Sequence, residues 1–475
     1  MISQPCIYNN DRNLFTIKNC TRLNIKINIF KCLYILNLQL KVNFIYSDLN
    51  PCGGGERLTI VTMQAILEMG FDIEFTTLKE PNTSKIENAF GKDLALVIGR
   101  IKKVHILNHI LDKQRINSIM QNGYDLVINT HGDIDPFYHE SFSKNNAITY
   151  CHYPTTKHFV DIEEDNEYVE KHIEIAKSTS LSLDFTNTNT TTQKKYSGQN
   201  TISFDRKRYY ELIKENYDKM MLNSTILTNS EYSSKAISDA YGINYPIILA
   251  PPVDVEQFRS LLIPSPSYPL SFLSERDDNK EDFVIVISRI EPSKKIDNAI
   301  KIAKILKEKK IAKGMIIAGN IEPFYYDYIY KIKDMIKNLD LEDFVSLKTN
   351  CKLEKLCSLL KKSKVFFHPR YGEHFGMSIV EAMSAGLIPV VSDKGGQTEF
   401  VPKKYQYHSI EQAVDIILSA LNVPDYERIS ISDSVQRFSS LVYKNNFKEI
   451  VNQLLQKNKS KTIHENISLN KKLYN

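Results

Sequence analysis

Short apolar runs alternate with stretches of helical spacing along most of the chain, and the first clear run begins after Lys41. Such runs, bounded by turn residues, are typical of strands buried in a parallel sheet with helices between them. The first series of predicted strands covers residues 42–46, 71–77, 125–130, 147–151, 225–228 and 246–250. The second series covers residues 283–288, 314–318, 344–347, 364–368 and 387–392. The pattern predicts an α/β protein with two facing Rossmann-like domains and a ligand site in the cleft between them.

Changes in composition along the chain divide this pattern into segments. Proline and charge mark the boundary between the two domains, and a run rich in Ser, Thr and Asn has too few apolar residues to pack. The predicted segments are an N-terminal extension (1–41), a first Rossmann-like domain (42–262) with an exposed polar insertion (about 177–203), a linker (263–282), a second Rossmann-like domain (283–425) and a C-terminal helical tail (426–475). For the extension, a disordered segment or a misplaced start codon is favoured over a membrane-surface segment.

The overall composition narrows the class of protein. Of the 475 residues, 42% are hydrophobic and 25% are charged, which is close to the globular average. The 61 Lys and Arg residues against 56 Asp and Glu residues leave a net charge of +5, too balanced for a protein that coats nucleic acid, so no nucleic-acid partner is expected. Seven cysteines without a C-x-x-C pair argue against a disulfide framework or a zinc ribbon and make a reducing cytosol the default.

A glycine turn follows the first predicted strand. Gly53, Gly54 and Gly55 precede a helical stretch that Gly70 ends. Free backbone N–H groups at a helix start favour an anion, and glycines let a phosphate approach closely. The run matches neither the dinucleotide-binding G-x-G-x-x-G nor a P-loop, so a phosphate cradle and a simple tight turn are both open interpretations.

Two cations follow the first strand of the second half. Arg289 comes directly after the predicted strand, and Lys294 lies five positions later, at the predicted start of a helix over 294–309. A guanidinium fork beside an ammonium point charge suits a diphosphate. A solvated helix start would explain the neighbouring lysines but explains Arg289 poorly.

The stretch 368–386 is the most informative part of the chain and is typical of a strand, a loop, a helix and the next strand. A helix predicted over 378–385 leaves the amides before it free to hold a negative group. Glu373 in the loop and Glu381 in the helix can accept hydrogen bonds from sugar hydroxyls at one cleft. A purely structural helix start would explain Glu381 in part and Glu373 less.

Together these motifs resemble the retaining family-four (group 1) glycosyltransferases, which have the GT-B fold. The likeness includes the E-x(7)-E pair inside E-H-F-G-x-x-x-V-E-A-M-x-A-G-x-x-P-V-V, and the cations Arg289 and Lys294. It also includes G-G-x-E at 53–56 and P-P-V-D-V-E-Q-F at 251–258. Four motifs in the correct order make the resemblance specific over most of residues 42–420.

The resemblance implies a donor site for a nucleotide-diphosphate sugar, which would be the co-substrate rather than a tightly bound cofactor. Arg289 and Lys294 would neutralise the diphosphate from the second domain. Gly54 and Gly55 would face it from the first domain, which would bind the acceptor. Glu381 would hold the ribose hydroxyls of the nucleotide.

The resemblance also implies which groups surround the transferred sugar. Glu373 would orient the sugar, and His152 would lie beside its anomeric carbon, although a lone histidine is more often structural. The amides that would assist Glu373 and the donor phosphates are those of Phe375, Gly376 and Met377.

No metal is expected, because the two cations already supply the positive charge. The run Asp133-Ile-Asp135 spells the D-x-D of metal-dependent glycosyltransferases, but an ordinary loop is the favoured interpretation of so short a match.

A narrower similarity rests on G-G-G-E-R at 53–57, H-Y-P-T at 152–155 and E-H-F-G at 373–376. These runs are similar to the eukaryotic α-1,2-mannosyltransferases that extend dolichol-linked oligosaccharides from GDP-mannose, and to their prokaryotic relatives. The resemblance implies an enzyme that transfers a hexose with retention to a glycan or lipid-linked acceptor, with mannose from GDP-mannose as the first choice of donor. The cysteine pattern makes the cytoplasm the expected location. The lysine-rich stretches at 301–310, 352–364 and 457–461 suggest peripheral contact with anionic lipid head groups, although a solvated face is the favoured interpretation. The acidic run at 161–167 departs from the eukaryotic enzymes and leaves the acceptor open. A GT-B sugar phosphorylase, a nucleotide-sugar epimerase and a non-enzymatic sugar-nucleotide-binding protein are the alternatives.

Overall fold

The computed structural model describes residues 40–109, 112–132, 137–155, 157, 206–263, 280–321 and 325–473. The predicted N-terminal extension as far as residue 39, the polar insertion at 177–203 and most of the predicted linker lie outside these residues. The predicted domain boundaries therefore stay predictions.

A parallel sheet forms the core of the first half. Its strands are β1 (Lys41–Ile45), β2 (Asp72–Thr77), β3 (Lys103–Ile106), β4 (Leu126–Asn129), β5 (Ala147–Tyr150), β6 (Thr225–Thr228) and β7 (Ile247–Ile248). They pair in parallel in the order β3-β2-β1-β4-β5-β6-β7. The helices of this half are α1 (Gly54–Glu68), α2 (Thr83–Phe90), α3 (Lys92–Ile98), α4 (Lys113–Met120), α5 (Arg206–Leu222) and α6 (Glu231–Tyr241). Every predicted strand of this half is present, and β3 is an edge strand that the pattern analysis missed.

A second parallel sheet forms the core of the second half. Its strands are β8 (Glu281–Ile287), β9 (Gly314–Gly319), β10 (Val345–Thr349), β11 (Ser363–Phe367), β12 (Ile388–Ser392) and β13 (Gln406–Tyr407). They pair in parallel in the order β10-β9-β8-β11-β12-β13. The helices, from the end of the first half onward, are α7 (Val255–Arg259), α8 (Ile296–Glu308), α9 (Tyr326–Asn338), α10 (Leu353–Lys362), α11 (Met377–Ser384), α12 (Ile410–Leu421), α13 (Asp425–Ser434) and α14 (Ser440–Leu473). The predicted pair of α/β halves with parallel sheets is confirmed.

Helix α14 returns from the second half to the first. Tyr443, Phe447 and Val451 are buried in the same apolar cluster as β1 and α1. The hydroxyls of Tyr443 and Thr62 lie 2.7 Å apart, inside that contact. The core of the first half therefore includes residues from the end of the chain. None of the described helices is long and apolar enough to cross a membrane.

The carboxyl ends of the two sheets meet at a cleft. The loop after β5 and the start of α6 in the first half contact the loop after β11 in the second half. Because parallel strands all end at the same edge of their sheet, this cleft collects the loops of both halves.

Candidate functional site

The loop between β11 and α11 holds Glu373 at the cleft. The backbone carbonyl of Glu373 accepts a hydrogen bond of 2.8 Å from the amide of Gly396. A Cβ atom at Gly395 would overlap that same carbonyl, so the neighbouring loop can approach this closely only as glycine. The loop turns into α11 at Gly376, whose φ of +92° is unfavourable for residues with a side chain. The Glu373 residue is only 8% exposed as a result.

Cations and donors surround the Glu373 carboxylate. Lys294 Nζ lies 2.8 Å from Oε2, His368 Nε2 lies 3.4 Å away and a guanidinium nitrogen of Arg370 lies 3.7 Å away. The amide of His374 donates to Oε1 at 3.2 Å. Burial alone would raise the pKa of Glu373, but Lys294 and Arg370 outweigh it and hold that pKa well below its usual range. Glu373 is therefore an ionised acceptor at neutral pH.

Phe375 anchors the amides that follow Glu373. Its ring is 5% exposed and lies 5.2 Å, centroid to centroid, from the rings of both Phe400 and Phe438. Met377 is the first residue of α11, and Gly376 is its N-cap without a side-chain hydrogen bond. The amides at this helix start are thus fixed in place and lack a capping side chain, as an anion-binding position requires.

Arg289 and Lys294 lie on the turn between β8 and α8. A guanidinium nitrogen of Arg289 is 3.3 Å from Glu291 Oε1, and the Arg289 side chain is 47% exposed. The prediction that a helix starts at Lys294 is wrong, because Lys294 ends a 3₁₀ turn and Lys295 has a φ of +54° that interrupts the helix. The interruption lets Lys294 reach Glu373. Burial lowers the pKa of Lys294, with Glu373 opposing that shift.

Glu381 lies on α11 and belongs to a second group of charged side chains, which spans the cleft. It interacts electrostatically with Arg57 of α1 and with Asp254, which precedes α7. A guanidinium nitrogen of Arg57 lies 3.4 Å from Asp254 Oδ2. Burial raises the pKa of Glu381 to about 7, with Arg57 acting against the shift and Asp254 adding to it. Glu381 is therefore the carboxyl of this site that titrates near neutral pH.

The glycine turn of the first half lies opposite α11. A Cβ atom at Gly54 would lie 2.8 Å from Met377 Sδ, so the two helix starts approach each other here. Glu56 closes the turn, accepting hydrogen bonds from Tyr46 Oη at 2.7 Å and from the Gly53 amide at 2.6 Å. A Cβ atom at Gly55 would lie 2.7 Å from Tyr46 Oη. The glycines thus serve close packing at this point, whether or not a phosphate also binds.

His152 follows β5 on the first-half side of the cleft. Its Nε2 lies 3.2 Å from the carbonyl of Thr130, and its own carbonyl accepts a 2.9 Å hydrogen bond from Asn229. Burial, together with His131, lowers the pKa of His152 to about 4. The imidazole is therefore neutral at pH 7 and donates through Nε2 to Thr130.

The structure brings the predicted residues together in part. Lys294 and Glu373 are in direct contact, whereas Glu381 interacts with Arg57 and Asp254 instead. Arg370 was missed, although it lies three positions before Glu373 in the stretch that drew attention to the site. The two aspartates of the D-x-D run, Asp133 and Asp135, lie outside the described residues.

Comparison with known proteins gives this geometry a family context. Residues 271–430 match the family described as glycosyl transferases group 1. The chain is 25% identical over 281 residues to the GDP-Man:Man(3)GlcNAc(2)-PP-Dol alpha-1,2-mannosyltransferase of Dictyostelium discoideum, covering 54% of each chain. It is 29% identical over 252 residues to the enzyme of that name from Xenopus laevis, covering 48% of this chain and 47% of the relative. The chain thus spans about half the length of these curated relatives.

Solved structures agree on the architecture. The sucrose-phosphate synthase of Thermosynechococcus elongatus superposes with a TM-score of 0.59 at 13% identity, covering 88% of this chain and all of that one. At that identity the likeness concerns the fold alone. Two α/β halves with parallel sheets and a cleft between them constitute the GT-B fold, and the expected fold class is confirmed.

Proposed function

Because residues 271–430 form a glycosyltransferase group 1 domain, we propose that the protein transfers a mannosyl residue, with retention, from GDP-mannose to a lipid-linked oligosaccharide. The names of the curated relatives support both the donor and the acceptor in this proposal. A reducing, cytoplasmic setting is part of it and rests on the cysteine spacing.

The observation that carries the proposal is the excess of positive charge beside Glu373. Three cationic side chains of the second half lie beside the two carboxylates of Glu291 and Glu373, so this group of five side chains, counted apart from Glu381, has one excess positive charge. The cations are Arg289, Lys294 and Arg370. A net positive group with a helix start beside it is what a departing diphosphate needs.

The reaction follows from where charge develops. As the bond between the sugar and the diphosphate breaks, negative charge grows on the leaving oxygen, and Lys294 and Arg289 stabilise it. Both are held by the fold before the donor arrives, so the stabilisation requires no reorganisation at the moment of reaction. The acceptor hydroxyl approaches from the face that the diphosphate leaves, forms the new bond to the anomeric carbon there and passes its proton to the departing diphosphate oxygen. The configuration at the anomeric carbon is therefore retained.

Two acids hold the rest of the donor. Glu373 is ionised and accepts hydrogen bonds from sugar hydroxyls. The amides of Phe375 and Gly376 donate hydrogen bonds to other polar groups of the same sugar. Glu381 accepts hydrogen bonds from the ribose hydroxyls. Holding both ends of the donor fixes its anomeric carbon, so the reaction with an acceptor bound in the same cleft becomes an effectively intramolecular step.

The proposal is tested by incubating the purified protein with a panel of nucleotide sugars and measuring which nucleotide is released, with and without a lipid-linked oligosaccharide extract. We expect GDP release from GDP-mannose that depends on the extract, and an α-linked product by NMR. The variant Lys304→Ala is a matched control, since Lys304 is an exposed lysine of α8.

Other outcomes would replace the proposal. Isomerisation of the donor without an acceptor would indicate an epimerase, and cleavage that requires inorganic phosphate would indicate a phosphorylase. Donor binding without release of nucleotide in any mixture would indicate a non-enzymatic sugar-nucleotide-binding protein. A β-linked product would contradict retention.

A further inference from the structure

An aromatic stack joins the two halves at the loop that carries Glu373. The ring of Tyr153, after β5, lies flat on the imidazole of His374, with centroids 4.1 Å apart and planes only 2° from parallel. The ring of Tyr232, at the start of α6, stacks with Tyr153 at 5.9 Å and 18°. Two first-half side chains thus form an aromatic platform for one second-half side chain.

The backbone of His374 is also held from the first half. Ser230, only 1% exposed, donates a hydrogen bond of 2.8 Å to the carbonyl of His374. Glu399 of the second half reaches the other way and accepts hydrogen bonds from the amides of Glu231 and Tyr232, at 3.1 and 2.9 Å. These amides lie in the first turn of α6, where a carboxylate is favoured. The contact is therefore reciprocal and involves both main chains.

His374 transmits its position directly to Glu373. Its amide donates to Glu373 Oε1 at 3.2 Å, so a shift of His374 moves the donor of that bond. Burial and the field of Arg370 lower the pKa of His374 to about 3, so the imidazole is neutral. A neutral imidazole stacked on a phenol is an aromatic pair that does not change its charge around neutral pH.

We propose that Tyr153 is a positioning residue for the transferred sugar, resting on the proposed function. By stacking on His374, it fixes the segment 373–376 in the place where the Glu373 carboxylate and the following amides face the sugar. It touches no part of the donor itself and acts through His374. The donor sugar site is therefore complete only when the first half is in contact with the second.

If Tyr153 has this role, loss of its ring should change the affinity for GDP and the kcat/KM for GDP-mannose by different amounts. In Tyr153→Ala, affinity for GDP alone should stay within about twofold of the wild type, because the proposed nucleotide contacts lie on Arg289, Lys294 and Glu381. The kcat/KM for GDP-mannose should fall roughly three- to tenfold, the range expected when an aromatic pair is lost. Tyr153→Phe keeps the ring and should restore the wild-type value. Tyr330→Ala, which removes a 61% exposed tyrosine of α9, is the matched control.

A double-mutant cycle separates positioning from general damage. If Tyr153 acts through His374, Tyr153→Ala should have little further effect on kcat/KM in a His374→Ala background. Full additivity of the two losses would overturn the proposal, and so would an equal loss of GDP and GDP-mannose affinity in Tyr153→Ala. Urea unfolding of the same four proteins should give a nonzero coupling energy, a readout that needs no activity.

Failure of the positioning role is distinct from failure of the proposed function. Turnover by the wild type with an unaffected Tyr153→Ala would overturn the role of Tyr153 alone. Absence of turnover by the wild type with every nucleotide sugar would overturn the proposed function, and the positioning role with it.

Discussion

Replacing Lys294 with alanine tests the charge arrangement most directly. Lys294 Nζ lies 2.8 Å from Glu373 Oε2, and the two side chains are only 15% and 10% exposed. The substitution leaves a buried carboxylate with Arg370 at 3.7 Å and His368 at 3.4 Å. Removing one partner of a buried ion pair typically costs about 3–5 kcal/mol. Because Arg370 remains near the carboxylate, we expect a loss at the lower end, about 3 kcal/mol of unfolding free energy.

The effect on turnover has a different origin. In the proposed mechanism Lys294 also faces the diphosphate, and losing one preorganised group of this kind costs roughly 100- to 1,000-fold in kcat. We therefore expect kcat for Lys294→Ala to fall at least about 100-fold at saturating donor. Nucleotide release at saturating GDP-mannose measures this value, and urea unfolding of the same preparations measures the stability loss.

The double variant Lys294→Ala/Glu373→Gln separates the two effects. It removes the charge of the carboxylate that has lost Lys294, so most of the lost stability should return. Turnover should stay low because the diphosphate still lacks its cation. Lys304→Ala should match the wild type in both assays. A Lys294→Ala protein with unchanged kcat at saturating donor would refute the mechanism, and so would a double variant that regains turnover along with stability.

Two further tests concern Glu381 on α11 and Gly396, which lies beside the His374 carbonyl. Burial raises the pKa of Glu381 from 4.5 to about 7, so the folded protein favours the protonated carboxyl. The free energy of unfolding should therefore decrease as pH rises from 4.5 to about 7. Affinity for GDP should instead increase as pH rises through about 7, because the carboxylate is the better acceptor for ribose hydroxyls; calorimetry should show this dependence flattened in Glu381→Gln. In Gly396→Ala the new methyl group would overlap the His374 carbonyl, so urea unfolding should show a loss of about 1–3 kcal/mol. A pH-independent affinity in the wild type, or an unchanged stability in Gly396→Ala, would contradict the respective prediction.

The two sheets could be predicted because parallel strands covered on both faces are apolar along their whole length. Strand β8 is an example, since Val284, Ile285 and Val286 are at most 1% exposed and stand together in the chain. Strand β3 was missed because an edge strand has only one neighbour, and its four residues include a single buried side chain and form no apolar run. Apolar runs therefore identify central strands more reliably than edge strands.

The candidate site was predictable only where its residues are close in the chain. Glu373 and Glu381 belong to one loop and helix, and their spacing is visible in the sequence. The group of Arg57, Asp254 and Glu381 is not visible, because its members come from α1, the segment before α7 and α11. The position of Lys294 also depends on the backbone of its neighbour, a left-handed φ that residue types alone do not specify.

The contacts between the two halves are of two energetic kinds. Helix α14 buries Tyr443, Phe447 and Val451 against the first half, and each large apolar side chain buried in this way contributes roughly 1.5–3 kcal/mol. At the cleft, by contrast, Ser230 donates one hydrogen bond, Glu399 accepts two and Tyr153 makes one ring stack, each worth about 1 kcal/mol. Each contact that holds the loop at the cleft is therefore weaker than each apolar contact that α14 makes. Because the weak contacts are those that hold the loop at Glu373, a bound donor that adds a few kcal/mol is enough to decide whether the sugar site is assembled.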